Sequence, residues 1–589
     1  GSSAAHAHSM LRLLGTRSNA SLARSLRSIG AQNTALRSLV TRVASNEDAA
    51  TPDAAVYFVG EGQALPVPGP VPAGVAEDFK GKSSEMVVFY GDEASGQARR
   101  VCLVGLGEPA QVTAEVLRGA AHDAVTRLRA LRVPRASFFV PEVDGMDVPD
   151  TSAVLAKGAI LSNYRFSRKQ RDMERGGCDP SSVVPPAASG FAPDADRVAI
   201  TESTRPLMEE LVLGVPSAHI EDVCARVQRV DVVARAVKLA RDLTNERSDV
   251  VHPSYVQQLA TDVAASFRSP GDVSCGAGTH VAPDGFVTLT PEKEEKLRVT
   301  VLDHIELRLK GLRMLAAVGH AAKTSDKLPR LVLLEYRGAP ESEDKIALVG
   351  KGVTHDAGGL NLKPTGFIEK MHMDMAGAAV VLASVKAAAE LGLRVNVVGA
   401  LALAENVIDS LSYKPLEILH SHRGLTVEVG NTDAEGRLCL ADAMSFAQAT
   451  YSPKVMVDVA TLTGACVVAL GEHAAGLFGN DDSLVAALQQ AGAKSQEKLW
   501  HMPIFPEHTK EIKDCDVADL SSTGQGREGG ACTAAAFLQE FVYPGVAWAH
   551  LDVAGPAMPS KPRGFWPQDG TGFGVETLVQ WLENQQVAE

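Results

Sequence analysis

The feature that most constrains the fold of this chain is a recurring alternation of short apolar segments with Ala- and Leu-rich stretches of helical spacing. AAVYFV (54–59), MVVFYG (86–91), VCLVGLG (101–107) and ASFFVP (136–141) read as buried strands. The stretch TAEVLRGAAHDAVTRLRAL between the last two reads as a helix. Strands alternating with helices predict a mostly parallel sheet. The pattern returns later, with strands predicted at IALVGK (346–351), RVNVVGALAL (394–403), KVMVDVAT (454–461) and VAWAHLDVA (546–554) and long Ala-rich helices between them. Between the two arrays, GGCDPSSVVPPAASGFAPDAD concentrates Gly, Pro and Ser, and a helical stretch over about 221–243 leads on. At 589 residues the chain is too long for one ordinary core. The expectation is an α/β protein of two domains: a smaller N-terminal α/β domain over 53–172, a linker and connecting helix over 173–243, and a larger α/β domain over 244–589 with a central mixed, mostly parallel sheet.

Residues 1–50 are set apart from this scheme. GSSAAHAHS resembles vector-derived sequence ahead of Met10, and the stretch from Met10 to Asn46 has six arginines, many serines and no acidic residue. That is the composition of an organellar transit peptide, mitochondrial on its arginine content, with a cytoplasmic protein as the alternative. No apolar run reaches the ~18 residues of a membrane span, so no membrane association is expected. A net charge of −14 argues against generic nucleic-acid binding, which relies on clustered Lys and Arg. The eight cysteines are scattered, without a C-x-x-C pair, and read as free thiols.

Three segments of the second domain carry an unusual density of charge. VGKGVTHDAGGLNLK holds Lys351, Asp356 and Lys363; KMHMDMAGAA holds Asp374; VGNTDAEGR holds Asp433, Glu435 and Arg437. Each lies beside a predicted buried strand, at the strand ends where open parallel sheets form ligand crevices. Four converging carboxylates would raise one another's pKa unless cations neutralise them, and two divalent ions would balance four charges. Asp433 and Glu435 alternate, so an extended segment would point both side chains the same way. Such a site suits Zn, Mn or Mg. Lys351 could ligate only as a neutral amine, and bringing its pKa from about 10.4 to about 7 costs about 4.6 kcal/mol. The alternative is a plain ion pair between Lys351 and the aspartates. Nucleotide motifs fail on inspection: a P-loop would need Gly where Lys345 stands and Ser or Thr where Gly352 stands, and GLGEP lacks the third glycine of a dinucleotide fingerprint.

NTDAEGRL (431–438) matches the signature octapeptide of the M17 leucine aminopeptidases, and Lys351, Asp356, Lys363 and Asp374 fall at that family's spacing. The resemblance spans roughly 230–585, including EYRGAP (335–340), TLTGA (461–465), GREGGACTAAAFL (526–538) and WAHLDVAG (548–555). It implies a metal-dependent leucyl-type aminopeptidase that hydrolyses the N-terminal bond of peptides. By position, one ion would be bound by Asp356, Asp433 and Glu435, and the other by Lys351, Asp356, Asp374 and Glu435. A water or hydroxide shared by the ions would be the nucleophile. Arg437 would hold a bicarbonate ion that moves the proton, and Lys363 would stabilise the oxyanion. Met371, Thr461, Leu462 and Gly464 would border the first side-chain pocket and backbone groove. The resemblance also implies a homohexamer and two divalent ions per chain, Zn or Mn, with Mg or Co as alternatives.

Two positions depart from the family pattern. His355 stands where Phe is usual and Ala357 where Ser or Thr is usual, which keeps a catalytically impaired structural or DNA-binding assembly subunit as the alternative. His372, His550 and Asp552 are read as structural.

Overall fold

A computed structural model of the chain describes residues 39–49, 53–92, 94, 97–166, 207–267, 280–281, 287–288, 296–526 and 528–587. The chain divides into two units, Gly1–Asp231 and Val232–Glu589, with the division inside the helix Ile220–Asn245.

In the first unit, β1 (Val40–Ser45), β2 (Ala55–Gly60), β3 (Met86–Tyr90), β4 (Arg100–Gly107), β5 (Arg135–Phe139) and β6 (Glu210–Val215) form one sheet in the order β1-β6-β5-β2-β4-β3. Every pairing is parallel except that of β3 with β4. The helices Ala114–Ala130 and Val148–Ser162 start at Thr113 and Asp147, whose side chains accept N–H groups of the first turn. The core gathers Tyr57, Val59, Phe89, Val101 and Leu103, and the rings of Tyr57 and Phe139 stack at 4.6 Å.

Two of these strands correct the expected boundaries. β1 falls within the 1–50 segment assigned to targeting, and β6 falls within the 173–243 segment assigned to a linker. They pair in register from Val40↔Glu210 to Ser45↔Val215, and β6 pairs on its other side with β5. The N-terminal sheet therefore draws on residues on both sides of 53–172. The physical reason is that β1 is an edge strand. Its solvent-facing Arg42 pairs with Glu210 at 3.0 Å, and that outward arginine made the strand look like basic leader sequence. Residues 1–38 and 50 of the targeting segment, and residues 173–206 of the linker, lie outside the described residues.

In the second unit, β7 (His280–Val281) and β8 (Val287–Thr288) make a short antiparallel pair. Next come β9 (Leu297–Leu302), β10 (Arg330–Arg337), β11 (Ile346–Asp356), β12 (Asn396–Asn406), β13 (Ile418–His420), β14 (Thr426–Glu428), β15 (Val455–Ala460), β16 (Ala474–Gly479), β17 (Lys498–His501), β18 (Leu520–Ser521) and β19 (Ala547–Asp552). Eight of them form the order β17-β16-β19-β15-β11-β12-β10-β9. The inner run β19-β15-β11-β12 is parallel, and antiparallel pairings flank it at β16 and β10. This is the mixed, mostly parallel sheet expected. The strands β9, β10, β16 and β17 had no counterpart in the sequence reading. A smaller sheet, β13-β14-β18, stands apart.

β11 and β12 are buried almost throughout because the helices Ala376–Leu391 and Glu435–Tyr451 pack against them. Close approach is enforced by small residues: a Cβ on Gly350 would lie 2.6 Å from Ala378 Cα. The Ala-rich face of that helix is thus a packing requirement rather than a propensity signal. Among the described residues no helix is long and apolar enough to cross a membrane, and Cys102, Cys224, Cys439, Cys466, Cys515 and Cys532 are free thiols.

Candidate active site

The three charged segments meet at the C-terminal ends of the inner parallel strands, where an α/β sheet opens a crevice. β11 runs further than predicted, so Lys351 lies within it and Asp356 ends it. Asp374 follows the short 3-10 helix Ile368–Met373 and is separated by Met375 from the helix Ala376–Leu391. Asp433 and Glu435 do not sit on an extended segment, which corrects the expected reason for their shared direction. Asp433 occupies a turn in which its N–H donates to Asn431 Oδ1 at 2.8 Å, and Glu435 opens the helix Glu435–Tyr451. A carboxylate in the first turn of a helix is favoured by the dipole.

The side chains converge. Lys351 Nζ lies 2.8 Å from Asp374 and 2.8 Å from Glu435 Oε1, and it also donates to the Thr461 carbonyl at 3.2 Å. Lys363 Nζ bridges Asp356 Oδ2 at 2.8 Å and Asp433 Oδ1 at 2.5 Å. Ligand atoms of Asp356, Asp374 and Glu435 all fall within 4.8 Å of one another. Lys351, Asp356, Asp374 and Glu435 are each at most 3% exposed. Burial pushes the Asp374 carboxyl up to about 8; the Lys351 ammonium opposes this, and Asp356 and Glu435 add to it. Asp433 and Glu435 are likewise raised, first by burial and then by Asp356. Burial would lower Lys351, yet Asp374, Glu435 and Asp356 outweigh it and hold the amine as an ammonium. Lys363 is raised in the same way, against burial, chiefly by Asp356 and Glu435.

Backbone geometry makes room for this cluster. A Cβ on Gly436 would stand 2.5 Å from Lys351 Cε and 2.7 Å from Nζ, so glycine there admits the lysine. Gly358, at φ +86°, turns the chain after β11, and its N–H donates to Asp356 Oδ1 at 2.9 Å. Asn406 at the end of β12 was missed by the sequence reading: its Nδ2 donates to Asp356 Oδ1 at 2.8 Å and to the Thr432 carbonyl at 3.0 Å. A polar residue closing the apolar run ALALAEN was the available signal.

Of the other residues singled out, Thr461 joins the cluster directly, donating from Oγ1 to Asp374 Oδ1 at 2.7 Å. Half-buried Leu462 continues the same loop, and exposed Gly464 opens the helix Gly464–Leu470, which the Thr463 side chain caps. Met371 is half-buried, and its carbonyl accepts the Asp374 N–H at 3.4 Å. Arg437 is buried on the helix that begins at Glu435. Its Nη1 donates to the Ser522 carbonyl at 2.9 Å, and its Nε has no partner. Burial pulls its pKa down to about 10, against the pull of Glu435 and Asp552. His355 is half-buried with Nδ1 3.3 Å from Ser248 Oγ, and Ala357 contributes backbone, its N–H bonded to the Asn406 carbonyl and its carbonyl to the Lys363 N–H. A cleft of about 880 Å³ in the first unit, lined by Tyr57, Phe139 and Gln97 among others, contains none of these residues.

The residues fit divalent cations. Glu435 Oε2 is buried without a hydrogen-bond partner, a costly state that a cation would relieve. The donors gathered around it are hard carboxylate oxygens plus one amine.

The model of the cytosol aminopeptidase family catalytic domain matches residues 238–579, and that of the family's N-terminal domain matches residues 74–172. The chain belongs to the cytosol aminopeptidase family. As a member it is a hydrolase of the peptidase class. A probable cytosol aminopeptidase of Syntrophotalea carbinolica is 38% identical over 509 residues, covering 86% of this chain and 90% of the relative. One of Geobacter sp. is 37% identical over 490 residues, covering 83% and 86%. Among solved structures, the bottromycin maturation enzyme BotP in complex with Mn aligns with a TM-score of 0.72 and 29% identity over 91% of this chain and all of that one. A mutant of tomato leucine aminopeptidase aligns with a TM-score of 0.72 and 27% identity over 93% and 96%.

Proposed function

We propose that the chain is a leucyl-type aminopeptidase that binds two divalent ions and hydrolyses the N-terminal bond of peptides. The observation that carries this is the buried convergence of Asp356, Asp374 and Glu435 around an unpartnered Glu435 Oε2. Asp356, Asp433 and Glu435 would hold one ion; Lys351, Asp356, Asp374 and Glu435 would hold the other, with Lys351 as the neutral amine. Zn or Mn suits this donor set, with Mg or Co as substitutes, and the Mn complex of BotP supports Mn. Bound there, the ions would polarise the scissile carbonyl and ionise a water near neutral pH.

The chain's own groups supply the rest. Lys363, already between Asp356 and Asp433, carries its ammonium to the mouth of the cluster and stabilises charge developing on the carbonyl oxygen. Arg437 has an unused Nε–H and suits a planar bicarbonate, the proton carrier in this scheme. The segment Thr461–Gly464 and Met371 would border the groove for the first residue. Assembly as a homohexamer and import into mitochondria complete the proposal; the second rests on the Arg-rich, acid-free stretch after Met10.

The test is hydrolysis of leucine and methionine amides by purified protein supplied with Mn, Zn, Mg or Co, with metal content measured on the same sample. Activity should vanish with a chelator and return with metal, and Asp433→Ala should lose both activity and ion. Protein holding two ions per chain that cleaves no aminoacyl substrate would defeat the proposal.

A further inference from the structure

Trp548, His550 and Asp552 alternate along β19 and therefore share one face of the strand. All three are completely buried. Asp458, opposite His550 in β15, accepts Trp548 Nε1–H at 2.8 Å and His550 Nδ1–H at 2.6 Å. Asp552 faces the loop that leaves β15. Its Oδ2 accepts the Thr463 hydroxyl at 2.7 Å, and its Oδ1 accepts the N–H groups of Leu462 at 3.2 Å and Ala554 at 3.1 Å. Among the described residues no cation comes within ion-pair distance of it, although its charge acts on Arg437.

The other side of the same loop is fastened to the carboxylate cluster, through Thr461 Oγ1 to Asp374 and the Thr461 carbonyl to Lys351 Nζ. Three consecutive residues are thus held between two buried carboxylates, Asp374 at the centre and Asp552 behind it. A buried carboxylate satisfied by neutral donors costs stability that a neutral side chain would not, so retaining the charge calls for a reason. Holding a loop to the tolerance a substrate groove needs is such a reason, because groups that contact substrate depend on supports behind them.

We infer that Asp552 is a positioning residue for the substrate groove: it fixes the Leu462 backbone and the Thr463 hydroxyl so that Thr461–Gly464 presents a preset edge to the first residue of the peptide. The inference rests on the aminopeptidase reading and adds to it a residue that touches neither ion nor substrate.

The experiment compares the full-length Mn-loaded protein with Asp552→Asn, Thr463→Val and Thr463→Ser on leucine amide and glycine amide. Asp552→Asn should keep its metal content, raise KM for leucine amide about tenfold with kcat within about threefold, and blunt the preference for leucine over glycine. Thr463→Val should show a smaller KM rise of about threefold, and Thr463→Ser, which restores the hydroxyl, should return to wild type. If Asp552→Asn fails to fold, the Thr463 pair carries the test alone. Wild-type KM and selectivity in both Asp552→Asn and Thr463→Val, or losses that track metal content, overturn the inference while leaving the aminopeptidase reading intact. A wild-type protein inactive with every metal removes that reading itself.

Discussion

Replacing Gly436 by alanine tests whether the lysine at the centre of the cluster depends on a hole in the facing helix. The added Cβ would stand 2.5 Å from Lys351 Cε and 2.7 Å from its Nζ, well inside van der Waals contact. Backbone on the helix side cannot yield, so the ammonium must withdraw by about 1 Å from oxygens 2.8 Å away on Asp374 and Glu435. Two charge-assisted hydrogen bonds are then lost, at about 1.5–3 kcal/mol each. Alanine in a helix returns at most about 1 kcal/mol. The expected net cost to the metal-free protein is about 2–5 kcal/mol, a large share of a typical stability of about 5–15 kcal/mol.

Urea unfolding of chelator-treated protein measures this directly. The same substitution in a Lys351→Ala background should be neutral or slightly stabilising, since the clash is gone, so the two changes should be strongly coupled in a double-mutant cycle. An equal cost in both backgrounds would show that Gly436 serves the helix rather than the lysine, and a fully stable Gly436→Ala protein would refute the reasoning outright.

Three further outcomes are expected. Burial raises the Asp374 carboxyl in the ion-free protein and the surrounding carboxylates hold Lys351 as an ammonium, so ions bound as proposed would have to displace protons. Apparent Mn affinity should therefore climb between about pH 6 and about pH 8 with measurable proton release by calorimetry in two buffers, and a flat profile would contradict it. Arg437→Lys removes the planar fork and should lower kcat about 10–100-fold with KM nearly unchanged in steady-state kinetics; an unchanged kcat would strip Arg437 of its proposed role. Asp442 accepts the N–H groups of Met314, Leu315 and His422 from full burial. Asp442→Asn should cost about 2–4 kcal/mol in urea unfolding without altering KM, and a KM change would place it in the groove instead.

The four predicted strands of each domain, and the charged residues at their ends, were legible because continuous apolar runs and dense charge are local signals. What was not legible depends on partners far away in sequence. β1 and β6 are 165 residues or more apart yet pair in register, and neither VTRVAS nor ELVLGV announces by itself which neighbour will cover it. Composition pulled the first toward a leader peptide because this edge strand carries Arg42 on its open side.

The cluster teaches the same point in a sharper form. The structure brings its members together, but Asp433 and Glu435 do not arrive by alternation on an extended segment. A turn and a helix N-terminus bring them together, and Lys351 and Lys363 thread between the carboxylates. Residue identity reported the chemistry, whereas Gly436 and Asn406 reported the space and the support, and those meanings exist only against the neighbours that fill the space. It follows that the ion-free cluster is partly neutralised by its own lysines. Divalent ions would enter by displacing the Lys351 proton from a preassembled cage, which couples metal loading to the lysine that Gly436 admits.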